Sequence, residues 1–155
     1  MKRRARIFLV CLMACAMLFQ NLPHEISATT NPTSVGLTEF AFKALNENWG
    51  YVYGTYGQTI TQALIDGKRN QYPSVYAEIM SDGQTAYVNA ADWIGHRGAD
   101  CVGLIKAYLW WQSDSLNPKY NADQDRSANG MYNASAVKGP IDTLPNIHGA
   151  LVCRD

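Results

Sequence analysis

The chain has 155 residues with 13 basic and 13 acidic side chains, charged residues making up only 17% of it, alongside nine tyrosines. It has no basic patch beyond the first six residues, which argues against nucleic acid as a partner. Its length suits one domain, and it shows neither an internal repeat nor a low-complexity tract.

The chain opens on Lys2, Arg3, Arg4 and Arg6, followed by an uncharged apolar run from Ile7 to Phe19. This reads as an export signal, too short to span a bilayer comfortably. Ile26-Ser27-Ala28 fits a cleavage site, so residues 1–28 are assigned to a signal peptide and 29–155 to a single domain. No membrane span remains once the leader is removed. The alternatives are an uncleaved N-terminal anchor, or a lipoprotein box Leu12-Met13-Ala14-Cys15 with Cys15 lipidated. The second ranks lower because apolar residues continue past Cys15. The expected location is secreted or cell-wall associated. Four of the 13 basic residues and one of the 13 acidic residues precede Thr29, leaving nine and 12, a net charge of −3. A lightly charged, tyrosine-rich chain is compatible with sugar polymers as neighbours.

Leu37 to about Asn48 has helical periodicity, with Leu37, Phe40, Ala41 and Ala44 on one face. Trp49 to Gly57 holds three glycines and four aromatics and reads as a turn-rich loop. Thr59 is placed to cap a short helix to about Asn70, with Gln62 at the capping-box position. A second short helix follows Pro73 and ends before Ser81-Asp82-Gly83, and Trp93 to Gly98 reads as loop. After Gln112 the chain is polar to about Gly130, with a turn at Asn117-Pro118. Met131 to Lys138 is one more short helix, ended by Gly139-Pro140. Gly149-Ala150-Leu151-Val152-Cys153 has the look of a strand. Almost everything before it reads as helix or loop, so the chain reads as a domain cut off where its sheet begins, since a lone strand is not stable.

The most informative segment is Arg97-Gly98-Ala99-Asp100-Cys101-Val102-Gly103-Leu104-Ile105. Asp100 is a helix cap, and the helix runs to about Gln112. Cys101 therefore stands at a helix start, where unpaired N–H groups and the helix dipole favour the nucleophilic thiolate. Gly103 reads as leaving room for a substrate beside the first turn. On the helical wheel Cys101, Leu104, Ile105 and Tyr108 share a stripe, opposite Gly103, Lys106 and Trp110, so the thiol is expected to face the helix's packing partner. A buried cysteine on an apolar stripe is the competing interpretation. Cys11 and Cys15 belong to the leader, and Cys101 and Cys153 remain. A disulfide between them is possible in an exported protein, but Cys153 reads more easily as a strand residue. Without a Cys-x-x-Cys pair or a His cluster there is no case for a metal, zinc included, and no cofactor is indicated. Of Trp110 and Trp111, one is expected in the core and the other over surface.

Asp100-Cys101-Val102-Gly103-Leu104 is similar to the Asp-Cys-Ser-Gly-Leu nucleophile motif of the NlpC-type cell-wall peptidases, which belong to the papain-like cysteine hydrolases. Tyr51-Val52-Tyr53-Gly54-Thr55 resembles that family's upstream Tyr-x-aromatic-Gly-Gly segment. Leu144 to Val152 looks like its approach to the first strand. The resemblance implies an α+β, papain-like domain, here its N-terminal helical part plus the start of the sheet only. It implies hydrolysis of peptide bonds in peptidoglycan stem peptides, often next to D-glutamate, with the oxyanion held by N–H groups at the nucleophile helix. Cys101 would be the nucleophile, Asp100 its helix cap, and Tyr51 and Tyr53 residues of the substrate pocket.

The chain departs from the family pattern at four points. Val102 stands for serine and Thr55 for the second glycine. About 45 residues separate Gly54 from Cys101, so an inserted helical segment lies near the cleft. The family's catalytic histidine lies on a strand that this chain does not reach. His24 is in the leader, His96 lies in a Gly-rich loop five residues before Cys101, and His148 falls at a proline position of the family pattern. The expected function is thus an exported cysteine hydrolase, present as an N-terminal fragment lacking its catalytic histidine. The alternative is a non-catalytic cell-wall binding module in which the aromatic loop Tyr51 to Tyr56 contacts glycan.

Overall fold

The fold is taken from a computed structural model, which describes residues 32–111 and 115–152. The leader, Cys15 and Cys153 lie outside the described residues. The class is α+β: six helices and three short strands among the described residues.

Helix α1 (Ser34–Asn46) starts where the Thr33 side chain accepts the Gly36 N–H at 3.0 Å. It buries Phe40 and Ala44, on the face that periodicity selected. Strands β1 (Gly50–Tyr51) and β2 (Tyr56–Thr59) follow, then helices α2 (Gln62–Gln71), α3 (Pro73–Tyr76) and α4 (Ala86–Ala91). Strand β3 (Arg97–Ala99) runs straight into α5 (Cys101–Trp110), and α6 (Ala128–Ala134) comes after a polar stretch. The sheet order is β1-β3-β2, with β3 parallel to β1 and antiparallel to β2.

Several expectations are corrected here. The segment read as loop from Trp93 to Gly98 supplies the central strand, so a sheet forms well before residue 149. β3 is three residues of Arg, Gly and Ala, too short and too glycine-rich to show a strand pattern; pairing on both edges holds it. Residues 149–152 form no strand. Thr59 ends β2 and does not cap: the Ile60 N–H bonds to the His96 carbonyl, extending the sheet, and Thr61 caps α2 through Leu64 N at 3.2 Å. Gln62 therefore is not at the capping-box position. The last helix lies earlier than expected because Ser127 caps it, accepting from Gly130 N at 3.1 Å.

Strand alternation sends Gly98 and its two neighbours to opposite faces. On the Gly98 side Val52, Ile60, Ile65, Tyr76 and Ala90 form a closed core, covered by α2, α3 and α4. On the other side α1 and α5 pack through rings. Phe40 meets Trp49, Tyr108 and Trp111 at centroid distances of 5.7, 5.7 and 6.1 Å. The Arg97 guanidinium lies 4.6 Å from the Trp111 ring and donates to the Gly57 carbonyl at 2.7 Å. Trp110 is buried and Trp111 is half-buried, where one of the pair was expected in the core and the other over surface.

Tyr76 ties α3 to the loop after β1. Its ring is 2% exposed and its hydroxyl donates to the Tyr53 carbonyl at 2.8 Å. Burial, helped by the charge of Asp100, pushes its phenol from 10.0 up to about 12. A phenol with a raised folded-state pKa contributes stability that is complete below about pH 10 and lost as pH rises towards 12. Tyr76→Phe is therefore expected to flatten the alkaline limb of the stability–pH curve and to cost about 1 kcal/mol at neutral pH, because the Tyr53 carbonyl loses its donor. Denaturant melts at pH 7 and pH 11 check both effects.

Candidate active site

Asp100 organises the site. Its backbone is extended (φ −83°, ψ −178°), as a helix cap requires. One carboxylate oxygen accepts the Gly103 N–H at 2.6 Å, closing the first turn of α5. The other accepts the Gly54 N–H at 2.9 Å, across 46 residues of sequence. Its own N–H donates to the Thr55 carbonyl at 3.1 Å. Gly54 can turn its N–H inward because it sits at φ +78°, a conformation that side chains disfavour. The two motif segments are thus one structural unit, joined by two hydrogen bonds.

Thr55, the departure from the second glycine, fits this unit. It is 1% exposed, and its hydroxyl donates to the Val52 carbonyl at 2.7 Å, which satisfies it where it is buried. Gly103 has a different purpose from the one its position suggested. A Cβ there would run into the Thr55 carbonyl oxygen, so the bare backbone lets α5 dock against the loop. The space it leaves is filled by protein.

The face of α5 is also corrected. Val102, Gly103, Ala107 and Trp110 are its buried residues, and Cys101 is a free, exposed thiol. Nearly the whole circumference of α5 is apolar, so periodicity could not choose a face. The close approach at Gly103 and the enclosure of Trp110 by Tyr56 and Tyr120, at 5.2 and 5.6 Å, make the choice. The result turns the thiol towards solvent, where a substrate can reach it.

Tyr51 pairs with Ala99 in the β1–β3 ladder, two residues before the cysteine. Its side chain is 60% exposed, and its phenol is pushed up by partial burial and then by Cys101, Asp100 and Tyr53 beside it. Tyr51 is thus close enough to Cys101 to feel its charge. Tyr53 stands on the other side of Gly54, edge-on to Tyr72 with centroids 5.1 Å apart. Beside them lies Lys68, whose ammonium is pushed down by burial while Asp100 and Asp125 oppose the shift. Lys68 and Tyr72 come from α2 and its C-cap.

The two described histidines lie on other segments. His96 lies at the far end of β3, edge-on to Trp93, and five extended residues set it roughly 15 Å from Cys101. His148 precedes Gly149, which lies against Ser34 at the start of α1. That end of α1 donates from Thr33 N–H to the Tyr108 hydroxyl at 2.9 Å. Two grooves of about 510 Å³ each lie elsewhere, one against Tyr76 and Tyr87, the other against Trp110 and Tyr120. Among the described residues no group of three or more His, Cys, Asp or Glu is placed to hold a metal, and no helix is long and apolar enough to cross a membrane.

No family model, characterised protein or solved structure matches this chain.

Proposed function

We propose that this chain is an exported cysteine hydrolase that cleaves peptide bonds in peptidoglycan stem peptides, built on a papain-like, NlpC-type arrangement. The observation that carries the proposal is the Asp100 carboxylate, which bonds Gly54 and Gly103 and so joins the two motif segments beside an exposed Cys101. The thiolate attacks the scissile carbonyl to form a thioester, N–H groups at the helix start steady the oxyanion, the proton given up by the thiol passes to the leaving amine, and water hydrolyses the thioester to the acid and the free thiol. Tyr51 and Tyr53 line the approach. The glycan-binding alternative is less favoured, because Tyr56 is enclosed by Trp110 and Tyr120 and offers no open platform.

The test uses purified peptidoglycan and mass spectrometry of released peptides. The wild-type chain is expected to release stem fragments, and Cys101→Ala to lower the rate at least a thousandfold. Iodoacetamide is expected to label Cys101 faster than a free cysteine at neutral pH. Absent fragments together with ordinary labelling would refute the hydrolase reading.

A further inference from the structure

We propose that the groove between α2 and α4 is a binding site for a phosphate group, with Arg69 as its anchoring cation. The site is independent of the hydrolase reading: none of the residues lining it belongs to the Cys101 site. The groove holds about 510 Å³. Arg69 and Asn70 line it from α2, Pro73 and Ala77 from α3 and its cap, and Thr85 and Tyr87 from the start of α4. All six lie in the segment between Gly54 and Cys101, which the Cys101 site leaves without a role.

The guanidinium is held in place before any ligand arrives. It lies 4.3 Å from the centre of the Tyr87 ring. That ring is itself fixed, because the Tyr87 hydroxyl donates to Asp66 Oδ1 at 2.7 Å. The Gln62 amide donates to both, at 2.8 Å to the Tyr87 hydroxyl and 3.1 Å to Asp66 Oδ1. The bond from Tyr87 holds the Asp66 carboxyl below its ordinary range, so the network persists at neutral pH. A guanidinium stacked on a ring keeps its N–H groups available at the edge of its plane.

The donors are unspent. Asp66 Oδ1 is 3.9 Å from Arg69 Nη2, too far for a hydrogen bond, and already accepts two others. Among the described residues Arg69 makes no hydrogen bond, and neither does the Asn70 side chain. Thr85 Oγ1 accepts from Val88 N at 3.3 Å, and its own proton has no acceptor among the described residues. The lining thus offers one positive charge, amide and hydroxyl protons from two helices, and no carboxylate. A planar carboxylate matches the guanidinium fork alone. A tetrahedral phosphate matches the fork and has further oxygens for Asn70 and Thr85. Pro73 and Ala77 give apolar surface for the carbon skeleton of a phosphoester.

Binding is measured by amide chemical-shift titration of the full chain at low ionic strength, with inorganic phosphate, glycerol 3-phosphate and acetate as probes. Both phosphates are expected to shift the Arg69, Asn70 and Thr85 amides saturably, and to bind about tenfold more tightly than acetate. Tighter glycerol 3-phosphate identifies a phosphoester as the ligand and tighter inorganic phosphate a free anion; both outcomes support the site. Arg69→Met, which keeps an aliphatic stem over Tyr87, is expected to weaken phosphate about tenfold or more, and Arg69→Lys to recover only part of it because the fork is lost. Thermal melts confirm that each variant is folded. No saturable shift at these amides, acetate binding as tightly as phosphate, or unchanged phosphate affinity in Arg69→Met overturns the proposal.

Discussion

Gly103→Ala is expected to destabilise the chain by about 3 kcal/mol, lowering the melting temperature by on the order of 10 °C. The direction runs against helix propensity, which favours alanine over glycine by roughly 1 kcal/mol in a helix interior. Packing overrides propensity here because the obstacle is the Thr55 carbonyl oxygen, a backbone atom that has no rotamer to change. Moving the loop away would stretch the bonds from Asp100 N to Thr55 O and from Gly54 N to the Asp100 carboxylate. Gly67→Ala provides the opposite sign. Gly67 lies within α2 with nothing within 4 Å of a built Cβ, so alanine there is expected to raise stability by up to about 1 kcal/mol. Paired thermal melts decide the matter. A Gly103→Ala protein as stable as wild type would mean that α5 does not approach the loop this closely.

Asp100→Ala is expected to cost about 3 kcal/mol, and to do so by detaching two segments at once. Loss of a helix cap accounts for about 1 kcal/mol. The second bond, from the Gly54 N–H to a carboxylate, adds about 2 kcal/mol because the turn is half-buried and its donor is left without an acceptor. Hydrogen exchange separates the two contributions. Both the Gly54 and Gly103 amides are expected to lose protection in Asp100→Ala. In Asp100→Asn one oxygen remains, so one amide keeps its acceptor and the cost is smaller. Because Tyr51 and Tyr53 ride on the detached loop, peptide release in the assay above is expected to fall with Asp100→Ala even though the thiol is untouched. Protection lost at Gly103 alone would show that Asp100 is a cap and nothing more.

What could be read in the sequence is what local chemistry fixes. Asp100 is a short acceptor three residues before an N–H that needs one, so the start of α5 was legible, and so was the stripe of Phe40 and Ala44 on α1. Tyr51 was singled out by the resemblance of its Tyr-x-aromatic-Gly segment and not by periodicity. The remainder depended on contacts distant in sequence. Thr59 and Thr61 are equally good caps by themselves; the bond from Ile60 N to His96 O ends the strand after one and leaves the helix to the other. β3 exists because β1 and β2 hold both of its edges, a condition that no three-residue window records. Residues 149–152 show the converse, an apolar run that forms no strand.

The sequence by itself determined that an acid-capped helix begins at a cysteine, because a cap and its N–H lie within one turn. The tertiary structure alone decided which way that helix faces, since α5 is apolar on nearly every side and only the Thr55 backbone and the Tyr56–Trp110–Tyr120 cluster distinguish one side from another. That choice exposes the thiol. It depends on shape complementarity between segments about 10 to 50 residues apart, a property of the packed chain that its linear pattern does not carry.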